Sequence, residues 1–232
     1  EVTGSLNDEV LRDLHERLMY LRNLEEKKEQ VLGSIEEQGK LTEELKAKIE
    51  AAETMVVVED LYRPYRPKRK TRASVAKEKG LDGLAQFILA QETTEPLGTE
   101  AQKYVSEEKE VKSAAEAIQG AKDIIAEMIS DEADYRIYIR KITMEEGKLV
   151  STAKDEKAES VYEMYYAYEE PLAKVAGHRT LALNRGEKEK SLIVKVEAPE
   201  ERILQYLRKK VIINDNPVTT PVLEEVIADS YD

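Results

Sequence analysis

No cysteine occurs among the 232 residues. That absence excludes a disulfide framework, thiolate zinc sites and a cysteine nucleophile, and nothing in the chain calls for an oxidising compartment. No apolar run approaches the length of a membrane-spanning helix, and no signal-peptide pattern is present, so a soluble, cytoplasmic protein is expected. Histidine is nearly missing too: His15 and His178 stand far apart, neither belongs to an HExxH or similar ligand spacing, and both read as structural. The GxxxxGK[ST], GxGxxG and GxSxG patterns do not occur, and Ser130–Asp134 (SDEAD) lacks the glycine and distal glutamate of a calcium loop. SDEAD reads instead as a junction between helices, capped by Ser130 or Asp131. No catalytic residue, metal site or cofactor is expected, and the chain does not read as an enzyme.

What is abundant is charge. Asp and Glu number 48 against 36 Lys and Arg, for a net charge of −12, while 41% of residues are hydrophobic. The chain is long enough for one large or two small cores. Against this acidity stands LYRPYRPKRKTRASVA, residues 61 to 76, with Arg63, Arg66, Lys68, Arg69, Lys70 and Arg72. Setting those six charges aside leaves −18 on the remainder, which phosphate backbones would repel, so any nucleic-acid surface must be local.

Hydrophobic spacing predicts a mainly α protein. Val10, Leu11, Leu14, Leu18, Leu21, Leu24, Val31, Leu32 and Ile35 recur at three- and four-residue steps in one long helix. Asn7 or Asp8 caps it, and Gly39 suits the left-handed position beyond its end. Thr42 caps a second helix running to about Glu53, which closes a helical hairpin. MVVVEDLY (55–62) is read as helix despite its β-branched residues. Pro64 and Pro67 predict an extended, polyproline-like connector, followed by a short helix capped by Thr71 or Ser74 and ended by Gly80. Further helices are expected over LDGLAQFILA, Thr99–Glu107, EVKSAAEAIQGAKDIIAEMIS and DEADYRIYIRKITMEEG, the last broken at Gly147. Later ones are expected over 159–168, 178–185, 200–210 and from 220 onward. KLVSTA and SLIVKVE alternate apolar with polar residues and predict a small two-stranded β element. The division expected is 1–70, a hairpin with its connector, and 71–232, a helical body with the β element.

Two readings of the connector stand side by side. Arginine binds phosphate through strong, often bidentate, charge-assisted bonds, and six phosphate contacts would give a log-log salt slope of roughly 5. Equally, arginines on an irregular segment of so acidic a chain can pair with nearby carboxylates and pin the segment, with Tyr62, Pro64 and Tyr65 giving it an apolar grip. The tyrosines of VYEMYYAYEE, with Tyr162, Tyr165 and Tyr166 on one helical face, could stack bases. Glu163, Glu169 and Glu170 around them favour packing instead. His178 precedes Arg179 at a helix start.

Three stretches carry a resemblance: EVTGSLNDEVLRDLHERLMYLRNLEEKKEQVLGSIEEQGKLTEEL, VEDLYRPYRPKRKTRASVAKEKGL and EEPLAKVAGHRTLALNRGEKE. In this order they resemble the N-terminal region of the bacterial Tex family of transcription accessory proteins, and the DLYxPYxPKRxTRA and HRxLAxxRGE runs are specific to it. The resemblance implies a piece of a longer protein, beginning inside the family's first helical subdomain, whose further parts include an RNase H-like domain, helix-hairpin-helix elements and an OB-fold RNA-binding domain. The start at Glu1 and the amphipathic pattern still running in LEEVIADSYD suggest the same. It implies RNA or DNA, the transcription machinery and the remainder of the same chain as partners, and no membrane. The residues expected to face phosphates are Arg63, Arg66, Lys68, Arg69, Lys70 and Arg72, with Arg179 and Arg185 added. The rival expectation is an interaction scaffold in which the same arginines are internal clamps.

Overall fold

The computed structural model describes residues 7–67 and 70–231. Among these are eleven α-helices, several 3-10 turns and three strands, the mainly α architecture expected. Two compact units are formed: the first from residues up to the connector together with 131–133, the second from 70–130 and 134 onward.

In the first unit, α1 (Asp8–Glu37) begins where the Asn7 side chain accepts a bond from the Val10 amide at 2.9 Å. It ends where Gly39 takes the positive φ, 65°, that an L side chain resists. Only the C-terminal half of α1 is buried, through Leu24, Lys28, Val31 and Ile35 at helical spacing. Val10, Leu14, Leu18 and Leu21 stay exposed. α2 (Glu43–Glu50) and α3 (Met55–Tyr62) start at Thr42 and Thr54, whose hydroxyls accept the Leu45 and Val57 amides. α2 stops three residues earlier than expected. Its end is held by the Lys28 ammonium, which donates to the Glu50 carbonyl at 2.8 Å and to Glu25 at 2.9 Å. Ile49, Val58 and Leu61 complete this core with Leu24, Val31 and Ile35. Each such side chain contributes about 1.5–3 kcal/mol by leaving water.

In the second unit, α4 (Arg72–Glu78) opens with a reciprocal cap between Thr71 and Ser74 and closes at Gly80, whose φ is 78°. α5 (Asp82–Ala90) ends on Gln91 in the left-handed region. The helix expected over Thr99–Glu107 is displaced. α6 (Leu97–Ala101) starts after Pro96 and runs into a 3-10 turn, and then Ser106 and Val111 exchange backbone bonds in an isolated bridge. Burying Val111 completely decides that exchange against helical continuation. α7 (Ala114–Asp131) and α8 (Ala133–Glu146) follow, then α9 (Gly177–Lys188), α10 (Glu200–Val211) and α11 (Thr220–Tyr231). The main core joins Leu84, Ile88, Ile124, Ile125, Ile203 and Leu223.

The β element has three strands rather than two. β1 (Lys148–Ala153) lies between β2 (Ala167–Pro171) and β3 (Leu192–Glu197), antiparallel to both. The expected pairing of KLVSTA with LIVKVE is present, with Leu149 opposite Val196 and Ser151 opposite Val194. The helix expected over 159–168 is absent. Glu163–Tyr165 forms a 3-10 turn that buries Tyr162 and Tyr165 beside Leu183 and Leu192, and β2 follows immediately. The Ser151 hydroxyl donates to the Tyr165 carbonyl at 2.8 Å and fixes this turn on the sheet.

A polar hub within the second unit had no sequence signature. Gln91, buried, donates to the Val211 carbonyl at 2.8 Å and accepts from the Ile213 and Asn214 amides. Asn216 donates to the Gln91 and Thr93 carbonyls while accepting from the Val218 and Thr219 amides. The chain after α10 is thereby anchored by polar bonds in addition to the packing of Ile212 and Val218 on the core.

Candidate functional site: the basic connector and the His-Arg helix

The connector is not extended from its first proline. Arg63–Tyr65 forms a 3-10 turn closed by the Arg66 amide on the Tyr62 carbonyl at 3.0 Å. Proline's fixed φ and missing donor suit the opening of a helical turn as well as a polyproline segment, so Pro64 extends α3 instead of ending it in an extended chain. Arg66, ahead of Pro67 and at φ −63°, ψ 132°, adopts the extended form, as does Thr71 at φ −109°, ψ 166°. Tyr62 is gripped as expected: its hydroxyl meets Ser34 at 3.0 Å, and the Arg66 guanidinium lies 5.8 Å from its ring centroid. The Gln38 side chain donates to the Tyr65 carbonyl at 2.9 Å.

Each described cation of the connector reaches a carboxylate. In the first unit, Arg63 donates to Asp131 at 2.8 Å, and Arg66 pairs with Glu59. In the second, Lys70 stands 3.7 Å from Glu78, and Arg72 stands 3.7 Å from Asp123 and 3.5 Å from Asp229. Lys68 and Arg69 lie outside the described residues. The pairs differ in kind. Arg63 is 46% exposed and bonds a buried Asp131 at 2.8 Å, whereas Arg72 is 71% exposed and stands farther from a similarly buried Asp123, and Lys70 and Glu78 are both exposed. The first pair is a close, partly desolvated contact, and the last two are longer contacts of small energetic value. Thr71 adds a tie to α7, its hydroxyl donating to the Glu127 carboxylate at 3.0 Å.

Arg179 and Arg185 lie on α9, away from one another in role. Arg179 pairs with Glu170 of β2, and the Tyr168 hydroxyl also bonds Glu170. The Arg179 guanidinium and the Tyr168 hydroxyl hold the Glu170 carboxyl below its usual range. Burial and the bond to Glu170 push the Tyr168 phenol up, while Glu170 and Tyr168 raise Arg179. Arg185 is exposed and acts on Tyr162, whose phenol is pushed up first by burial and then by Glu189. His178 is exposed in the first turn of α9. The connector cations and the α9 arginines thus sit on separate elements. The Glu170–Tyr168–Arg179 cluster is not anticipated by the sequence reading, because the helix expected over 159–168 overlaps the start of β2 and no strand is expected there. The alternation Tyr168, Glu170 was the available signal. Among the described residues no group of three or more His, Asp or Glu could hold a metal ion, and no helix is long and apolar enough to cross a membrane.

Residues 91–220 match the family described as Tex central region-like. The chain is 50% identical to the protein YdcI of Bacillus subtilis (strain 168) over an alignment of 234 residues covering all of this chain and 32% of that protein. It is 42% identical over 192 residues to the transcriptional accessory protein Tex of Neisseria gonorrhoeae, covering 82% of this chain and 25% of that protein. It is 27% identical over 206 residues to the human S1 RNA-binding domain-containing protein 1, covering 84% of this chain and 20% of that protein. The chain therefore spans a third or less of the length of these curated relatives.

Proposed function

The chain belongs to the Tex family of transcription accessory proteins, and on that premise we propose that this segment is a helical scaffold. It supports the nucleic-acid and transcription contacts of a longer protein, and its basic connector serves as an internal clamp. The observation that carries this reading is the pairing of Arg63, Arg66, Lys70 and Arg72 with Asp131, Glu59, Glu78 and Asp123, each within ion-pair distance. A connector held in this way keeps a fixed path while the rest of the chain, at −18 once its six cations are set aside from the net −12, discourages phosphate elsewhere. The reading assigns no catalysis to the segment. Its partners are RNA or DNA, the transcription machinery and the remainder of the longer chain, and RNA is supported at family level by the name of the human relative.

A second reading has its own observation. Lys70 and Arg72 leave most of their side chains in solvent, and an arginine with five donors can hold a carboxylate and a phosphate at once. In that reading the connector, with Arg179 and Arg185 as further contacts, faces nucleic acid directly. Binding of single-stranded RNA and duplex DNA, measured across salt concentrations for the wild type and an Arg66→Glu, Arg72→Glu double variant, separates the two. The clamp predicts no salt-dependent binding by the wild type and a lower melting temperature for the variant. A wild-type log-log slope near 5 that falls by roughly 2 in the variant would replace the clamp with the phosphate contact.

A further inference from the structure

β3 forms one edge of the three-stranded sheet, whose order is β2-β1-β3. We propose that this edge takes an extended peptide segment as a further, antiparallel strand, through the backbone of Val194 and Val196 and with an acidic side chain of the segment opposite Lys195. This rests on the scaffold reading and names the kind of protein partner the scaffold takes.

The ladder itself tells which backbone groups of β3 are open. The Lys154 amide donates to the Ser191 carbonyl at 3.0 Å, and the same register sets Val150 opposite Lys195 and Lys148 opposite Glu197. Antiparallel pairs alternate between bonded and non-bonded positions. Ile193, Lys195 and Glu197 therefore bond β1, while Leu192, Val194 and Val196 turn their N–H and C=O groups away from it. The other side of β1 keeps the complementary phase, since the Ala153 amide donates to the Tyr166 carbonyl of the chain leading into β2 at 3.1 Å. Leu192 is buried, but Val194 is half-buried and Val196 is 54% exposed. Among the described residues nothing else bonds the outward groups of these two valines.

The opposite edge is blunted and this one is not. β2 lies between two 3-10 turns and ends on Pro171, which has no N–H to give. Its Glu169 pairs with Lys148 and its Glu170 with Arg179. β3 carries no proline, and Lys195 is exposed with no ion pair among the described residues.

Register and charge choose the occupant. A second copy that engaged both open valines by two-fold symmetry would set each Val194 against the other chain's Val196. That places Lys195 directly opposite Lys195 and joins two chains of net −12, both unfavourable. A nucleic-acid strand would bring phosphates to the valine carbonyls and to Glu197, which repel them. A peptide meets both needs: its alternating amides and carbonyls match those of the edge, and a carboxylate opposite Lys195 supplies the missing counter-charge. Glu197 lies on the same face as Lys195 and calls for a basic side chain. Ile193, 43% exposed on that face, and Val196 on the other call for apolar neighbours.

The test titrates the full chain with a short fluorescent peptide, blocked at both ends, that carries the sequence Lys-Val-Glu-Thr-Ile to lie antiparallel from Glu197 to Ile193. It is expected to bind below ~1 mM. N-methylation of its second or fourth residue, whose amides face β3, is expected to weaken binding about tenfold or more, and N-methylation of the third, whose amide faces away, to leave it nearly unchanged. Exchanging the peptide's Lys and Glu is expected to weaken binding at least about twofold, and Lys195→Glu to reverse that preference. Val196→Pro removes an edge donor without touching a bond to β1 and is expected to abolish binding. Circular dichroism and a thermal melt establish that both variants fold, and the N-methyl series needs no variant. The proposal is overturned if the peptide does not bind below ~1 mM, or if methylation of the third residue weakens binding as much as that of the second. It is also overturned if Lys195→Glu leaves the preference unchanged, if an oligouridylate binds more tightly and competes, or if sedimentation shows the chain pairing with itself until Val196→Pro prevents it. A silent edge would sink this pairing and leave the clamp, tested by melting and salt titration, untouched.

Discussion

Arg63 is the connector residue whose removal should cost the most. Its Nε bonds a carboxylate of Asp131 that is almost out of water, while its own side chain is 46% exposed. A hydrogen bond to a charged group contributes about 1.5–3 kcal/mol, and the solvent around Arg63 brings the expectation to about 1–2 kcal/mol. Arg63→Met keeps the aliphatic stem and removes only the guanidinium. For a chain of this length the loss corresponds to a fall of about 2–8 °C in melting temperature. Arg72→Met, whose pairs are long and solvated, should cost about 0–1 kcal/mol. The comparison is made by thermal and urea melts at low and high salt, since screening erodes the exposed pair and spares the buried one. A double-mutant cycle of Arg63→Met with Asp131→Asn isolates the pair itself. Coupling below about 0.5 kcal/mol, or an Arg72 loss equal to that of Arg63, would refute the argument that the shorter bond and the less exposed arginine set the strength of the clamp, since Asp131 and Asp123 are similarly buried.

Three further outcomes follow from the geometry. Glu170 is depressed chiefly by Arg179, so its stabilisation is present above the unfolded carboxyl value near 4.3 and is lost as pH falls through its lower folded value. Arg179→Gln should flatten this acid limb of a pH melt, and an unchanged limb would dismiss the pair. Gly120→Ala places a Cβ 2.3 Å from Leu81 Cδ1 and 3.2 Å from the Ala76 Cβ, both buried. Overpacking of about 1–3 kcal/mol should outweigh the roughly 1 kcal/mol helix-propensity gain, and a variant that melts higher than wild type would show that Leu81 yields freely. The Thr219 hydroxyl is buried with no partner among the described residues. Thr219→Val should therefore be neutral or stabilising by about 1 kcal/mol in a urea melt, and a loss of more than that would mean the hydroxyl is satisfied.

Much of the fold was legible because local signals agreed. Asn7, Thr42 and Thr71 cap the helices that begin beside them, and Gly39 and Gly80 carry the positive φ that ends two of them. β1 and β3 show the period of a half-buried strand. β2 was hidden because AYEEP is acidic and follows a tyrosine cluster whose spacing also fits a helix. Its two glutamates are paired from outside the strand, Glu170 with Arg179 and Glu169 with Lys148. The displaced α6 and the 3-10 turn at Pro64 are similar cases, in which a distant backbone bond or a proline's dual competence selected one of two locally acceptable conformations.

The sequence by itself determined the family, the helical class and the presence of a concentrated positive segment between two helical regions. These depend on composition, periodicity and near-neighbour spacing, which the chain displays whether folded or not. Only the tertiary structure decided what the positive side chains meet. Asp131 is 68 residues from Arg63, and Asp229 is 157 residues from Arg72. An ion pair is set by distance in space and by how much water remains around it, and neither is written along the chain.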